Sequence, residues 1–216
     1  MTLLLQNIRT APDPAEEKPD YPGITRPMTY EEYLDGPEEM ARYDILDGWK
    51  VYRTYGNQEM SNPSKTHQRI LRHIARVMED FEAETDQGRV LIAPSDVLIT
   101  NRPLRSRQPD LLFISQERMA ENLSMEDATP LSPAPELVVE IVSPSERPSM
   151  LAAKIADYHA VYVREIWLVR ADSQTVELVS VSPNEILPVA TFGVGEVVES
   201  LVFGGLSIAV DAIFLK

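Results

Sequence analysis

Residues 136–143, ELVVEIVS, form a nearly continuous apolar run with Glu140 inside it. A run this short and this continuous suits a strand covered on both faces, at the middle of a sheet. An ionised carboxylate inside such a strand costs several kcal/mol unless it is paired or holds a cation. The chain must therefore fold around a central sheet and bring Glu140 a partner from elsewhere.

The nearest candidate follows in sequence. SMLAAKIADYHAVYV reads as a helix with Leu151, Ile155, Tyr158 and Tyr162 on one stripe, and EIWLVR as the strand after it. Strand, helix and strand form a βαβ unit for which a right-handed crossover is expected. Lys154 lies one turn after Leu151 and one before Tyr158, so it flanks the stripe that packs back over the strand holding Glu140.

A second carboxylate, Asp110, stands behind Pro109 in RSRQPDLLFISQ, where a basic polar stretch runs into an apolar strand. Two carboxylates on adjacent strands with a lysine make a site for a hard cation. Mg²⁺, or Mn²⁺, takes oxygen ligands and keeps several waters, so Asp110, Glu140 and a strand carbonyl such as that of Ile141 would suffice. Such an ion lowers the pKa of its water and neutralises charge on phosphorus, while Lys154 stabilises an oxyanion or orients the water. That chemistry is phosphodiester hydrolysis. Two plainer readings stand beside it: Asp110 as a strand-entry cap or ion-pair partner of Arg105 or Arg107, and Glu140 paired with Lys154 without a metal.

The 216-residue length favours one core. The absence of cysteine leaves no disulfides and no thiolate ligands. Nothing at the N-terminus has the form of a signal peptide, so a cytoplasmic location is expected. The most apolar long stretch, 201–215, is interrupted by Gly204, Gly205 and Asp211. It is too short for a membrane span, which needs about 20 residues, and no membrane partner is expected.

Five prolines, Pro12, Pro14, Pro19, Pro22 and Pro27, make residues 1–27 an extended arm before a single domain at 28–216. Thr29 and Glu32 form a capping-box pattern that opens a helix to about Met40. Asp47-Gly48 separates two β runs as a hairpin turn. Asn62 and Pro63 are expected to cap and start a long helix, NPSKTHQRILRHIARVMEDFEAE, with an apolar stripe from Ile70 to Phe81. RVLIAPSDVLIT and QPDLLFIS read as strands joined by a loop, NRPLRSR, and residues 116–135 as a loop with one helical turn near Glu117 to Glu121. Three short strand patterns, TVELVSV, EILPVA and EVVESLVF, close the chain as a meander.

The net charge of −14 argues against a protein that wraps nucleic acid over its whole surface. Basic patches are local: Arg69, Arg72 and Arg76 on one helical stripe, and Arg102, Arg105 and Arg107 before Asp110. Either patch could contact phosphates. His67 falls on the inward side of the long helix, where hydrogen-bonded structure is the commoner role for a histidine.

QPDLLFIS, PELVVEIVSPS, Lys154, Tyr158 and VREIWLV, with YDILDGWKV and NPSKTHQRI, resemble the Uma-two family, a branch of the PD-(D/E)XK nuclease superfamily. The resemblance covers roughly residues 28–215. It implies an α/β restriction-endonuclease-like core: a mixed central sheet flanked by helices, with additional antiparallel strands. It also implies a site with Asp110 as the first acid, Glu140 as the second, and a lysine moved from the position of Val142 to the next helix, as Lys154. Asp44 and His67 would line that site. Two positions depart from the family pattern: Asp44 stands where glutamate is usual, and Met150 where an acid is usual.

The expectation is a Mg²⁺-dependent DNA endonuclease, dimeric in order to cut both strands. The alternatives are a nuclease-fold protein that is weak or inactive and binds another protein, and a hydrolase of small phosphate esters.

Overall fold

In a computed structural model the described residues are 26–37, 42–52, 64–122, 130–144 and 146–215. The proline-rich arm up to residue 25, together with Asn62 and Pro63, lies outside them.

The central sheet is built from β3 (Gly88–Ile92), β6 (Leu111–Ser115), β7 (Leu137–Val142), β8 (Glu165–Arg170), β9 (Thr175–Ser182) and β10 (Glu185–Phe192), in the order β10-β9-β8-β7-β6-β3. β7 and β8 run parallel, joined through helix α4 (Pro148–Ala160), and the other pairs are antiparallel. The βαβ unit expected around Glu140 is therefore present, with β7 an inner strand.

Alternation along the strands divides the interior into two layers. Leu111, Phe113, Leu137, Val139 and Ile141 face one side, where Ile70, Ile74, Met78 and Phe81 of helix α2 (Lys65–Thr85) cover them. Leu112, Ile114, Val138 and Val142 face the other, under Leu151, Ile155 and Tyr158 of α4. Each fully buried side chain of this size contributes about 1.5–3 kcal/mol. Glu140 falls between Val138 and Val142, and so occupies an otherwise apolar slot beneath α4.

The long helix starts later than the Asn62-Pro63 pair suggests. Its N-cap is Ser64, whose hydroxyl accepts from the His67 N–H at 3.1 Å. The capping box at Thr29 is present, but the helix it opens, α1, is only Tyr30–Leu34. The hairpin of β1 (Tyr43–Leu46) and β2 (Trp49–Tyr52) turns at Asp47 and Gly48, with φ of 52° and 84°. Gly48 is required there, since a Cβ would lie 2.6 Å from that of Pro27.

The segment NRPLRSR, expected as a loop, is instead largely strand. RVLIAPSDVLIT splits into β3 and β4 (Val97–Asn101), which belong to different sheets, and β4 turns back into β5 (Leu104–Arg107). With β1 and β2 these form a second sheet, β2-β1-β5-β4. β5 has no apolar alternation because, after Leu104, its buried side chains are polar: Arg105, Ser106 and Arg107 all lie below 9% exposure. Their partners come from other elements, which a local pattern cannot reveal.

Residues 116–135 contain a helical turn, α3 (Gln116–Glu121), as expected. The C-terminal region folds as β11 (Val197–Glu199), β12 (Ser207–Ala209) and α5 (Val210–Ile213) and closes the layer under α2. Its anchor is Glu165, fully buried, which accepts from Trp167 Nε1, Ser200 Oγ and the N–H groups of Leu201 and Val202. Burial still holds its carboxyl above the usual carboxylate range, although those donors oppose the shift. Among the described residues no helix is long and apolar enough to cross a membrane.

Candidate active site

The register Leu111↔Val139 between β6 and β7, continued by one step, sets Asp110 opposite Glu140 at one end of the central sheet. Both are 1% exposed. Asp110 Oδ2 accepts from the backbone N–H of Ile141 at 2.6 Å, which pins the carboxylate to β7. The Ala93 N–H holds the Asp110 carbonyl at 3.2 Å. Side chain and backbone of Asp110 are thus tied to the strands on either side.

Basic side chains surround the pair. Arg42 Nη1 donates to Asp110 Oδ1, and Arg42 Nη2 to the carbonyl of Gln108 at 3.2 Å. His67 Nε2 lies 3.3 Å from the same Oδ1. Among the described residues no hydrogen bond reaches the buried Nδ1 of His67. Glu140 Oε2 faces Lys154 Nζ at 3.2 Å, and Oε1 accepts from the Tyr158 hydroxyl at 2.6 Å. Lys154 also reaches Glu146 Oε1 at 2.7 Å. An ammonium has three N–H donors, so among the described residues one is left after both carboxylates.

Asp44 sits one layer out, on the Gln108 and Arg107 side of the pair. Its Oδ1 accepts from the Gln108 N–H and its Oδ2 from Arg107 Nη1, both at 3.0 Å. Arg107 and Arg105 converge on Asp157 of α4, at 2.6 Å and 2.8 Å through their Nε atoms. Burial by itself pulls the Arg107 guanidinium down, but Asp44 and Asp157 more than offset it and leave it raised. This network fastens α4, and Lys154 with it, to the strand leading into Asp110. The pairing of Asp110 with Arg105 or Arg107 considered from sequence does not occur: those arginines serve Asp157, Asp44 and Asp47, and Arg42 takes Asp110.

Beside the network, Asp96 accepts from Tyr33 at 2.5 Å and from Ser106 at 3.3 Å. Burial pushes its carboxyl above the usual range, against the pull of those donors. Burial and the adjacent Asp96 charge likewise raise the Tyr33 phenol.

Arg42, Glu146 and Asp157 escaped the sequence reading. Asp157 had a usable signal, lying one turn from Lys154 on the same helix. Arg42 had none, since it meets its partner across 68 positions.

Among the described residues no group of three His, Cys, Asp or Glu side chains is arranged to hold a metal ion. The donor set that is present consists of two facing carboxylates, and the Ile141 carbonyl shares the side on which its N–H meets Asp110. All-oxygen donors of this kind fit a hard divalent cation that completes its shell with water. The same carboxylates are also compensated internally by Arg42 and Lys154.

A family model for Uma2, described as "Putative restriction endonuclease", matches residues 30–211. Among solved structures, a crystal structure described as "a putative nuclease belonging to DUF820 from Anabaena variabilis" matches at 18% identity and a TM-score of 0.65. The match covers 87% of this chain and 98% of that one. At that identity the likeness establishes the fold, which is nuclease-like. No curated protein matches.

Proposed function

The chain belongs to the Uma2 family of putative restriction endonucleases, and from that membership we propose that it is a metal-dependent phosphodiester hydrolase, a DNA endonuclease of the PD-(D/E)XK type. The observation that carries this reading is Asp110 and Glu140 facing one another across β6 and β7, with Lys154 3.2 Å from Glu140.

Asp110, Glu140 and the Ile141 carbonyl would hold the cation. When bound, Mg²⁺ or Mn²⁺ supplies a water of lowered pKa and neutralises charge on the phosphoryl group. Lys154, braced by Glu140 and Glu146, directs its remaining N–H at a water or a phosphoryl oxygen. Tyr158 holds the Glu140 carboxylate in orientation, and His67 does the same for Asp110. Asp44 acts one step back, by fixing Gln108 beside Asp110. Water oxygen bonds to phosphorus, one P–O ester bond breaks, and the products are a phosphomonoester and a hydroxyl. We further propose one catalytic domain over residues 28–216 and a homodimer for cutting both strands of DNA; a monomeric mass by light scattering would remove the dimer.

Calorimetric titration with Mn²⁺, paired with plasmid cleavage, tests the reading. Wild type is expected to bind Mn²⁺ and nick DNA, Glu140→Ala to lose binding, and Asp110→Ala to lose cleavage by at least about a hundredfold. The internal compensation by Arg42 and Lys154 favours a second reading, a nuclease-fold protein that binds another protein. Absence of Mn²⁺ binding at millimolar metal would select it.

A further inference from the structure

The α2 helix leaves the candidate site at His67 and carries Arg72 and Arg76 along a groove of about 390 Å³. Gln68, Arg72, Arg76 and Glu79 line its helical wall. Ile92, at the end of β3, lines the other side and is 40% exposed. The residue after Ile92 is Ala93, whose N–H bonds the Asp110 carbonyl at 3.2 Å, so this wall of the groove ends one residue from a backbone contact of Asp110.

Arg72 and Arg76 are exposed, and neither makes an ion pair or side-chain hydrogen bond among the described residues. The chain carries 34 acids against 20 lysines and arginines. Arg42, Arg105, Arg107 and Arg118 have all taken carboxylate partners. Two arginines left without partners on one groove wall therefore form a cationic strip on an acidic molecule. Their spacing of four residues is a rise of about 6 Å, the scale of one to two nucleotide steps along a strand. Guanidinium forks suit phosphate oxygens. Glu79 carries the opposite charge and ends the strip.

We infer that this groove is the track along which the DNA backbone enters the site, with Arg72 and Arg76 each engaging a phosphate. The inference rests on the nuclease reading above and assigns the substrate a direction, along α2 from Arg76 towards His67. It also separates the arginines of the sequence stripe, because Arg69 is not part of the groove wall.

The test is fluorescence anisotropy of a labelled duplex, without divalent metal, over a series of salt concentrations. Wild type is compared with R72A/R76A and with R89A/R164A, a control pair of equal charge. Arg89 is exposed, and strand alternation turns it to the sheet face opposite α2; Arg164 lies beyond the far end of that sheet, before β8.

R72A/R76A is expected to bind duplex about tenfold or more weakly at low salt, with the slope of log affinity against log salt reduced by about two. Its thermal midpoint and Mn²⁺ binding should stay at the wild-type values, and the control pair should bind duplex as wild type does. Equal loss, or no loss, in both pairs overturns the track while leaving the nuclease reading intact if wild type cuts DNA. A wild type that binds Mn²⁺ but neither binds nor cuts duplex overturns the nuclease reading, and the track with it.

Discussion

Arg42 rests its guanidinium on the Asp110 carboxylate, and a fifth of its side chain meets solvent. A partly exposed cation on a candidate ligand competes with any ion that needs the same oxygen. Arg42→Ala should tighten Mn²⁺ binding by about tenfold, or about 1.4 kcal/mol; calorimetry reads it, and unchanged or weaker binding would show that Arg42 supports the site. Asp96 tests burial in another way. Its folded pKa lies above the unfolded value of 3.8, so its contribution to stability is fully present below that pH and is lost as pH rises through the folded pKa. Asn can still accept from Ser106 and can donate to the Tyr33 oxygen. Asp96→Asn should therefore stabilise the protein at pH 7 by on the order of 1 kcal/mol, and the gain should fade towards pH 4 in unfolding curves taken across that range.

Strand β5 shows how an element can be buried without being apolar. Arg105 and Arg107 point into the gap between the two sheets and α4, and Asp157 collects both. Removing one member of a buried charge cluster leaves its partners uncompensated, which costs about 3–5 kcal/mol. Asp157→Ala should lose that much stability in urea unfolding, and a loss under 1 kcal/mol would mean that water already serves the arginines. Asp157→Asn should fall between, since the amide oxygen can satisfy one guanidinium. Lys154 sits one turn away on the same helix, so the brace also sets the angle at which α4 presents its ammonium to Glu140.

Along the chain, acids outnumber bases by 14, and the excess works against the compact state through self-repulsion. Salt screens exposed charges beyond a Debye length, about 10 Å at 0.1 M, and screens the buried pairs much less. The thermal midpoint should therefore rise between about 20 mM and 0.3 M NaCl, by a few degrees in calorimetry. A fall would mean that surface ion pairs such as Arg102 with Glu31 outweigh the repulsion. Nucleic-acid affinity should move in the opposite direction over the same range, because salt weakens contacts to phosphate. Stability and the proposed nucleic-acid binding should thus carry opposite salt signatures.

β7, α4 and β8 were legible in LVVEIV, SMLAAKIADYHA and EIWLVR because continuous or periodic apolarity encodes which faces are covered, and burial there needs no knowledge of the partner. The demand Glu140 makes for a cation was legible for the same reason, since a charge in an apolar strand is costly whatever surrounds it, and Lys154 was within one helix of answering it. The identity of Asp110's partner was not legible, nor was the role of β5. Arg42, Arg105 and Arg107 look alike in sequence, and only the packing of two sheets against α4 sorts them, sending one to the candidate site and two to Asp157. Polar pairing depends on distances across the fold, whereas apolar burial is written residue by residue along the strand.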